Sequence, residues 1–200
     1  MPYDSAATQA RLLDAAYQEF SEQGLAGARV DRIAMAARAN KQAIYAYFGS
    51  KEDLFDAVLT HRLGELADAV PLTPGDLPGY AGALFDALTD TPDLLRLTRW
   101  RGLERHDAGP GEVESHREKA KAIQAAMSLP DERTAIDIFE IVVAMSCAWT
   151  DMPDRLKTVG GQRPAARRQA HRAVVVEAVA AVCAALAGPG APLLAEVTSP

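Results

Sequence analysis

The sequence predicts an all-α protein. Apolar residues recur at spacings of three and four along nearly every segment, and no run alternates with period two. Clusters of Gly and Pro cut the chain into pieces of helix length. Composition agrees: 48 % of the 200 residues are hydrophobic, only 6 % are aromatic and Ala, Leu and Val dominate, which favours helix over strand. That length can bury a sizeable core in one large domain or two small ones.

Each element follows from its own pattern. Leu12, Ala16 and Phe20, with Leu13 alongside, mark a first amphipathic helix that closes near Gly24. Val30, Ile33, Ala34 and Ala37 form a short second helix. Asn40 can cap a third, Lys41 to Tyr47, with Ile44 and Phe48 turned inward. Ser50-Lys51-Glu52-Asp53 is a capping-box pattern, and Leu54, Val58, Leu59 and Leu66 carry a longer fourth helix from it. Pro71 to Gly79 is a turn-rich break. Beyond it Tyr80, Leu84, Phe85 and Leu88 read as a fifth helix, and Thr91-Pro92 starts a sixth that runs to about Asp107. The loop at 108–111 precedes a polar seventh helix to about Met127. Pro130-Asp131 opens an eighth, Glu132 to about Asp151, which Pro153 stops. The last helix follows Pro164 and ends at Gly188-Pro189.

Net charge is −6, but its distribution is uneven: residues 1–51 carry six Lys/Arg against five Asp/Glu, and five of those six cations fall between positions 29 and 51. A local basic stripe on an acidic body can bind phosphate while the body stays soluble. Three short helices around Phe20, Ile33, Ile44 and Phe48, two joined by a tight turn, describe a helix-turn-helix. Such a unit offers the N-terminal side chains of its second short helix to a major groove. Here Lys41 suits guanine acceptors and Gln42 suits adenine, while Tyr45 and Tyr47 carry hydroxyls for phosphate. Lys51 opens a helix, where backbone amides also favour an anion.

The run Val30-Asp-Arg-Ile33-Ala34-Met-Ala-Ala37, followed by Ile44-Tyr45-Ala-Tyr47-Phe48-Gly-Ser-Lys51-Glu-Asp-Leu54, resembles the tetracycline-repressor (TetR) family. The likeness covers residues 8 to about 65, and Gly24 stands where the family closes its first helix. The resemblance implies a helix-turn-helix domain over residues 1–50, a linking helix at 51–70 and a ligand-binding and dimerisation domain over 71–200. It implies that Asn40, Lys41, Gln42, Ala43, Tyr45, Ala46 and Tyr47 face DNA, while Lys51 and Arg29 or Val30 hold phosphates. Two departures stand out. Arg38-Ala39-Asn40 occupies a turn where the family usually has Gly, so either Arg38 bears a strained positive φ or the turn differs slightly from the family's. Ala28-Arg29 replaces the usual Thr or Ser, exchanging a cap for a guanidinium.

In the second half, Ala173 to Ala187 is apolar nearly all round, and Ile138, Ile141, Val142, Met145 and Trp149 give the preceding helix a broad apolar face. A homodimer built on these last helices is expected. Phe85, Trp100, Phe139, Met145 and Trp149 are candidate walls of a mostly apolar effector site, with Arg96, Arg99, Arg101 or His106 as polar anchors. No metal, cofactor or catalytic residue is assigned. Cys147 and Cys183 lack a CxxC partner, the four histidines are scattered, and HExxH, P-loop, GxGxxG and GxSxG patterns are missing. The N-terminus lacks a signal-peptide pattern, and the 15-residue apolar run with Glu177 inside it is too short for a bilayer, so a cytoplasmic protein without a membrane partner is expected. The expected function is a homodimeric transcriptional regulator that binds double-stranded operator DNA and is released from it by a small molecule. The alternative is a helical protein–protein interaction module without an operator.

Overall fold

The computed structural model describes residues 5–105, 110–161 and 163–187. Ten helices are described and no strand is found among the described residues: α1 Ser5–Gly27, α2 Val30–Ala36, α3 Lys41–Phe48, α4 Lys51–Ala69, α5 Leu77–Asp90, α6 Pro92–Glu104, α7 Pro110–Met127, α8 Glu132–Asp151, α9 Asp154–Lys157 and α10 Pro164–Leu186. The short α9 was not legible from periodicity, because its four residues make barely one turn. His106, the loop at 108–109 and the end of the last helix at 188–189 lie outside the described residues.

The chain divides into two compact units, Met1–Asp68 with Thr91–Gly109, and Ala69–Asp90 with Pro110–Pro200. The sixth helix therefore groups with the N-terminal helices, not with the domain expected over 71–200. The reason is packing. Leu97 joins Leu12, Phe20, Ile33, Ile44, Leu54, Phe55 and Val58 in one apolar core, with Trp100 partly buried against it. Phe20 and Phe55 meet edge to face at its centre, centroids 5.0 Å apart. Phe48, expected to be buried, is only half-buried; Ile44 is the residue α3 buries fully.

Gly24 lets α6 approach. It interrupts α1 at φ 68 and ψ 179, a backbone region open essentially to glycine alone. A Cβ there would lie 2.8 Å from the Trp100 ring and 2.8 Å from Glu104 Oε1. Around this break the Trp100 Nε1–H donates to the Ser21 carbonyl at 3.3 Å, and Glu104 accepts the Ala26 N–H at 3.1 Å.

Backbone caps set the other boundaries. Asn40 accepts the Gln42 N–H at 3.0 Å, Ser50 Oγ accepts the Asp53 N–H at 2.9 Å and Asp131 accepts the Thr134 N–H at 2.8 Å. At the end of α2, Ala39 N–H donates to Ala34 O and Arg38 N–H to Met35 O, the paired bonds of a Schellman stop. The residue that must then turn left-handed is Arg38, and it does, at φ 51. The strained alternative holds.

In the second unit α5, α8 and α10 pack together. Ser146 donates to the Ala81 carbonyl at 3.2 Å, and Arg172 pairs with Asp86 at 2.7 Å while Arg168 reaches Asp90 at 3.0 Å. At 23 residues α10 is longer than the apolar run alone suggested, and by length and composition it is long enough to cross a membrane. Arg167, Arg168 and Arg172 near its start and the two pairs to α5 mark it instead as a packing helix.

Gly24 and Arg38, both at positive φ, should respond differently to substitution. Gly24→Ala should lower unfolding free energy by about 2–4 kcal/mol, from the forbidden backbone region plus overpacking on Trp100. Arg38→Gly should be neutral or stabilising by up to about 1 kcal/mol, since strain relief offsets the added freedom of the unfolded chain. Urea denaturation of the two variants beside the unmodified protein checks both.

Candidate nucleic-acid interface

An isolated eight-residue helix is marginal in water, so α3 depends on its surroundings. Asn40 caps its start, and Gly49, at φ 88, returns its N–H to Tyr45 O at 3.0 Å. The preceding helix is fixed at both ends by α1. Glu19 accepts the Arg29 N–H at 2.8 Å and pairs with Arg32 at 2.7 Å, which replaces the missing Ser/Thr cap. Arg11 donates to the Ala37 carbonyl at 3.2 Å, a cation at the negative end of α2.

Held this way, α3 leaves Lys41, Gln42, Tyr45 and Ala46 exposed. Ala43 and Tyr47 are half-buried and lean on the core, and the Tyr47 ring stands edge-on to Phe48 at 6.3 Å. Asn40 uses its side-chain oxygen on the cap. Arg29 and Arg38 are exposed, whereas Val30 packs partly into the core and leaves only its backbone for a phosphate.

Two cations differ from expectation. Lys51 Nζ is drawn inward, donating to Leu25 O at 2.7 Å and Ala28 O at 3.3 Å. It staples the start of α4 to the end of α1, which from sequence alone reads as a phosphate ligand. Lys41 Nζ lies 2.9 Å from Asp31 Oδ1, and this hydrogen bond and charge raise its pKa above the ordinary lysine value. Asp31 has no periodic relation to Lys41, so sequence reasoning missed it.

The expected effector residues do not form one group. Trp100, on α6, belongs to the first unit and packs against α1. In the second unit Phe85 and Trp149 are buried with the His171 ring between them, centroids 5.9 and 5.3 Å away. His171 Nε2 is buried without a hydrogen-bond partner among the described residues, and burial, then Arg167, pushes its pKa down. Phe139 instead meets His116 edge-on at 5.6 Å, and Met145 is half-buried. Among the proposed anchors, Arg96 pairs with Asp93 on its own helix at 3.6 Å.

Residues 12–58 match the bacterial regulatory proteins of the tetR family, and residues 76–180 match the tetracyclin repressor-like C-terminal domain. The chain belongs to the TetR family. The HTH-type transcriptional repressor SCO4008 of Streptomyces coelicolor is 40 % identical over 163 residues, 78 % of this chain and 84 % of that protein. The repressor NicS of Pseudomonas putida is 46 % identical over 54 residues, 27 % of this chain and 26 % of NicS. The crystal structure of SCO4942 from Streptomyces coelicolor superposes with a TM-score of 0.74 at 35 % identity, over 88 % of this chain and 97 % of that one. This TetR-family chain is an all-α DNA-binding transcriptional regulator, as its sequence implied.

The Lys51 geometry makes a distinguishing prediction for this TetR-family reading head. Lys51→Ala should cost about 1–3 kcal/mol of stability, because two carbonyls lose a charged donor. Gln42→Ala, on an exposed position, should stay within about 0.5 kcal/mol of the unmodified protein. Denaturant midpoints of the two variants give the comparison.

Proposed function

We propose that the protein is a homodimeric repressor that reads a near-palindromic operator through α3 and leaves it when a small molecule binds the second unit. The carrying observation is the rigidly capped α3 with Lys41, Gln42, Tyr45 and Ala46 outward. Base readout is assigned to Lys41 and Gln42, and Tyr45 with Arg29 and Arg38 to the phosphate backbone. Repression follows SCO4008 and NicS, both named as repressors. Acting on the chromosome of a bacterium, it works in the cytoplasm.

Support for the dimer comes from apolar surface that one protomer leaves uncovered. On α10, Val174, Ala181 and Ala184 are exposed, and on α8 Ile136, Val143 and Cys147 are only half-buried. Two copies joined along these helices would present two α3 helices to successive major-groove turns, about 34–36 Å apart or somewhat more. Val179 is unsuited to test this, because it is fully buried within its own protomer.

For the effector, Phe85, Trp149 and His171 Nε2, which has no partner among the described residues, outline a mostly apolar recognition surface with one hydrogen-bonding group. The effector acts only through its differential affinity for the DNA-competent and incompetent dimers.

Selection of duplexes from a random pool, followed by anisotropy titration, tests the reading. The unmodified protein should recover a near-palindrome, and Gln42→Ala should shift preference by about 1–3 kcal/mol at one base pair of each half-site. Unchanged preference would remove Gln42 from the readout. Light scattering should give twice the 21.4 kDa chain mass, and Val174→Glu should return a folded monomer that no longer retards the selected duplex.

A further inference from the structure

The pair between Lys41 and Asp31 stands on the surface that the proposed function assigns to DNA. Lys41 is the first residue of α3 and Asp31 the second of α2, and their charged atoms lie 2.9 Å apart with side-chain exposures of 47 % and 75 %. A pair this exposed contributes little to folding. Its consequence falls on what the ammonium can bind. A carboxylate on a nucleic-acid face also carries the wrong sign for phosphate, so its presence there needs a function.

Phosphates and base edges see the pair differently. A phosphate that takes Lys41 must come close to Asp31 as well, so like-charge repulsion and a pre-neutralised ammonium cancel most of the counterion release that drives unspecific binding. A guanine edge is uncharged. Lysine has three N–H donors, so Nζ can keep one on Asp31 and direct the others to guanine O6 and N7. The carboxylate can in turn accept from the N4 amino group of cytosine. A G·C pair therefore fits the two side chains together, and a bare phosphate track does not.

From this geometry we infer that Asp31 is a specificity-determining residue: it withholds Lys41 from phosphates and leaves it available to a G·C base-pair edge. The inference rests on α3 being the reading helix. Arg32, its neighbour, is held by Glu19 and has no equivalent freedom. The device works by negative selection, since it lowers affinity for wrong sequences more than it raises affinity for the right one.

The test uses the full chain, a duplex selected from a random pool by the unmodified protein, and a scrambled duplex of equal length. Asp31→Asn should tighten scrambled binding about three- to tenfold and steepen its log affinity against log salt slope by about one unit. Affinity for the selected duplex should change less, so the selected-to-scrambled ratio falls by a similar factor. In a Lys41→Gln background Asp31→Asn should leave that ratio unchanged, because the residue acts through Lys41. Asp31→Ser should repeat the result, and thermal midpoints should match the unmodified protein. A ratio that does not move, or one that still falls without Lys41, overturns the inference. If the unmodified protein selects no sequence at all, the reading face itself is wrong and the inference falls with it.

Discussion

Trp100 lies on the backbone of α1 at Gly24, and the N-terminal unit is organised around that contact. No side chain could stand between them: a Cβ at position 24 would be 2.8 Å from the indole. The ring brings α6 with it, and α6 supplies Leu97 to the core that also holds Phe20, Ile33, Ile44 and Phe55. The break at Gly24 has a second effect. Just beyond it the Leu25 and Ala28 carbonyls receive Lys51 Nζ, and the Ala26 N–H is held by Glu104. One glycine thus positions the start of α4, the end of α1 and the whole of α6.

The cations near α3 divide between those bonded inside the unit and those left on its surface. Lys51 is a staple, Arg11 terminates α2 and Arg32 is paired to Glu19. Each fixes a helix end whose orphan amides or carbonyls would otherwise meet water alone. Arg29, Arg38 and the Asp31-bound Lys41 remain on the surface. A short helix read by a groove must not move when phosphates approach, and Lys51, Arg11 and Arg32, each bonded within the unit, provide that rigidity. Under the proposed function, the other three are the ones that meet DNA.

Most helices were legible because their signals are local. The Leu12–Ala16–Phe20 stripe, the Asn40 and Asp131 caps and the Ser50–Asp53 box all lie within a few residues of what they specify, and all are present. The left-handed Arg38 was legible only through the resemblance, which puts Gly at that turn; the Schellman bonds that require it are a finding of the structure. Periodicity failed where partners are distant in the chain. Trp100 looks like any apolar residue of a C-terminal domain, and only the fold brings it to Ser21, 79 positions earlier. Lys51 at a helix start suits an anion by every local rule, yet its partners are carbonyls 23 and 26 residues back. Asp31 beside Lys41 and His171 between Phe85 and Trp149 were hidden in the same way.

We propose that α6, although it lies within the matched C-terminal domain of residues 76–180, opens and closes with α1 and α4 as one cooperative unit. Native-state amide hydrogen exchange on the full chain tests this directly, because residues of one cooperative unit open with one free energy. The account predicts that core amides of α6 around Leu97 exchange with the same opening free energy as those of α1 around Phe20 and α4 around Phe55. Trp100→Ala should lower all three together while leaving α5 and α8 unchanged. Amides of α6 that instead open with those of α5 and α8, while α1 and α4 keep their protection in the variant, would contradict it.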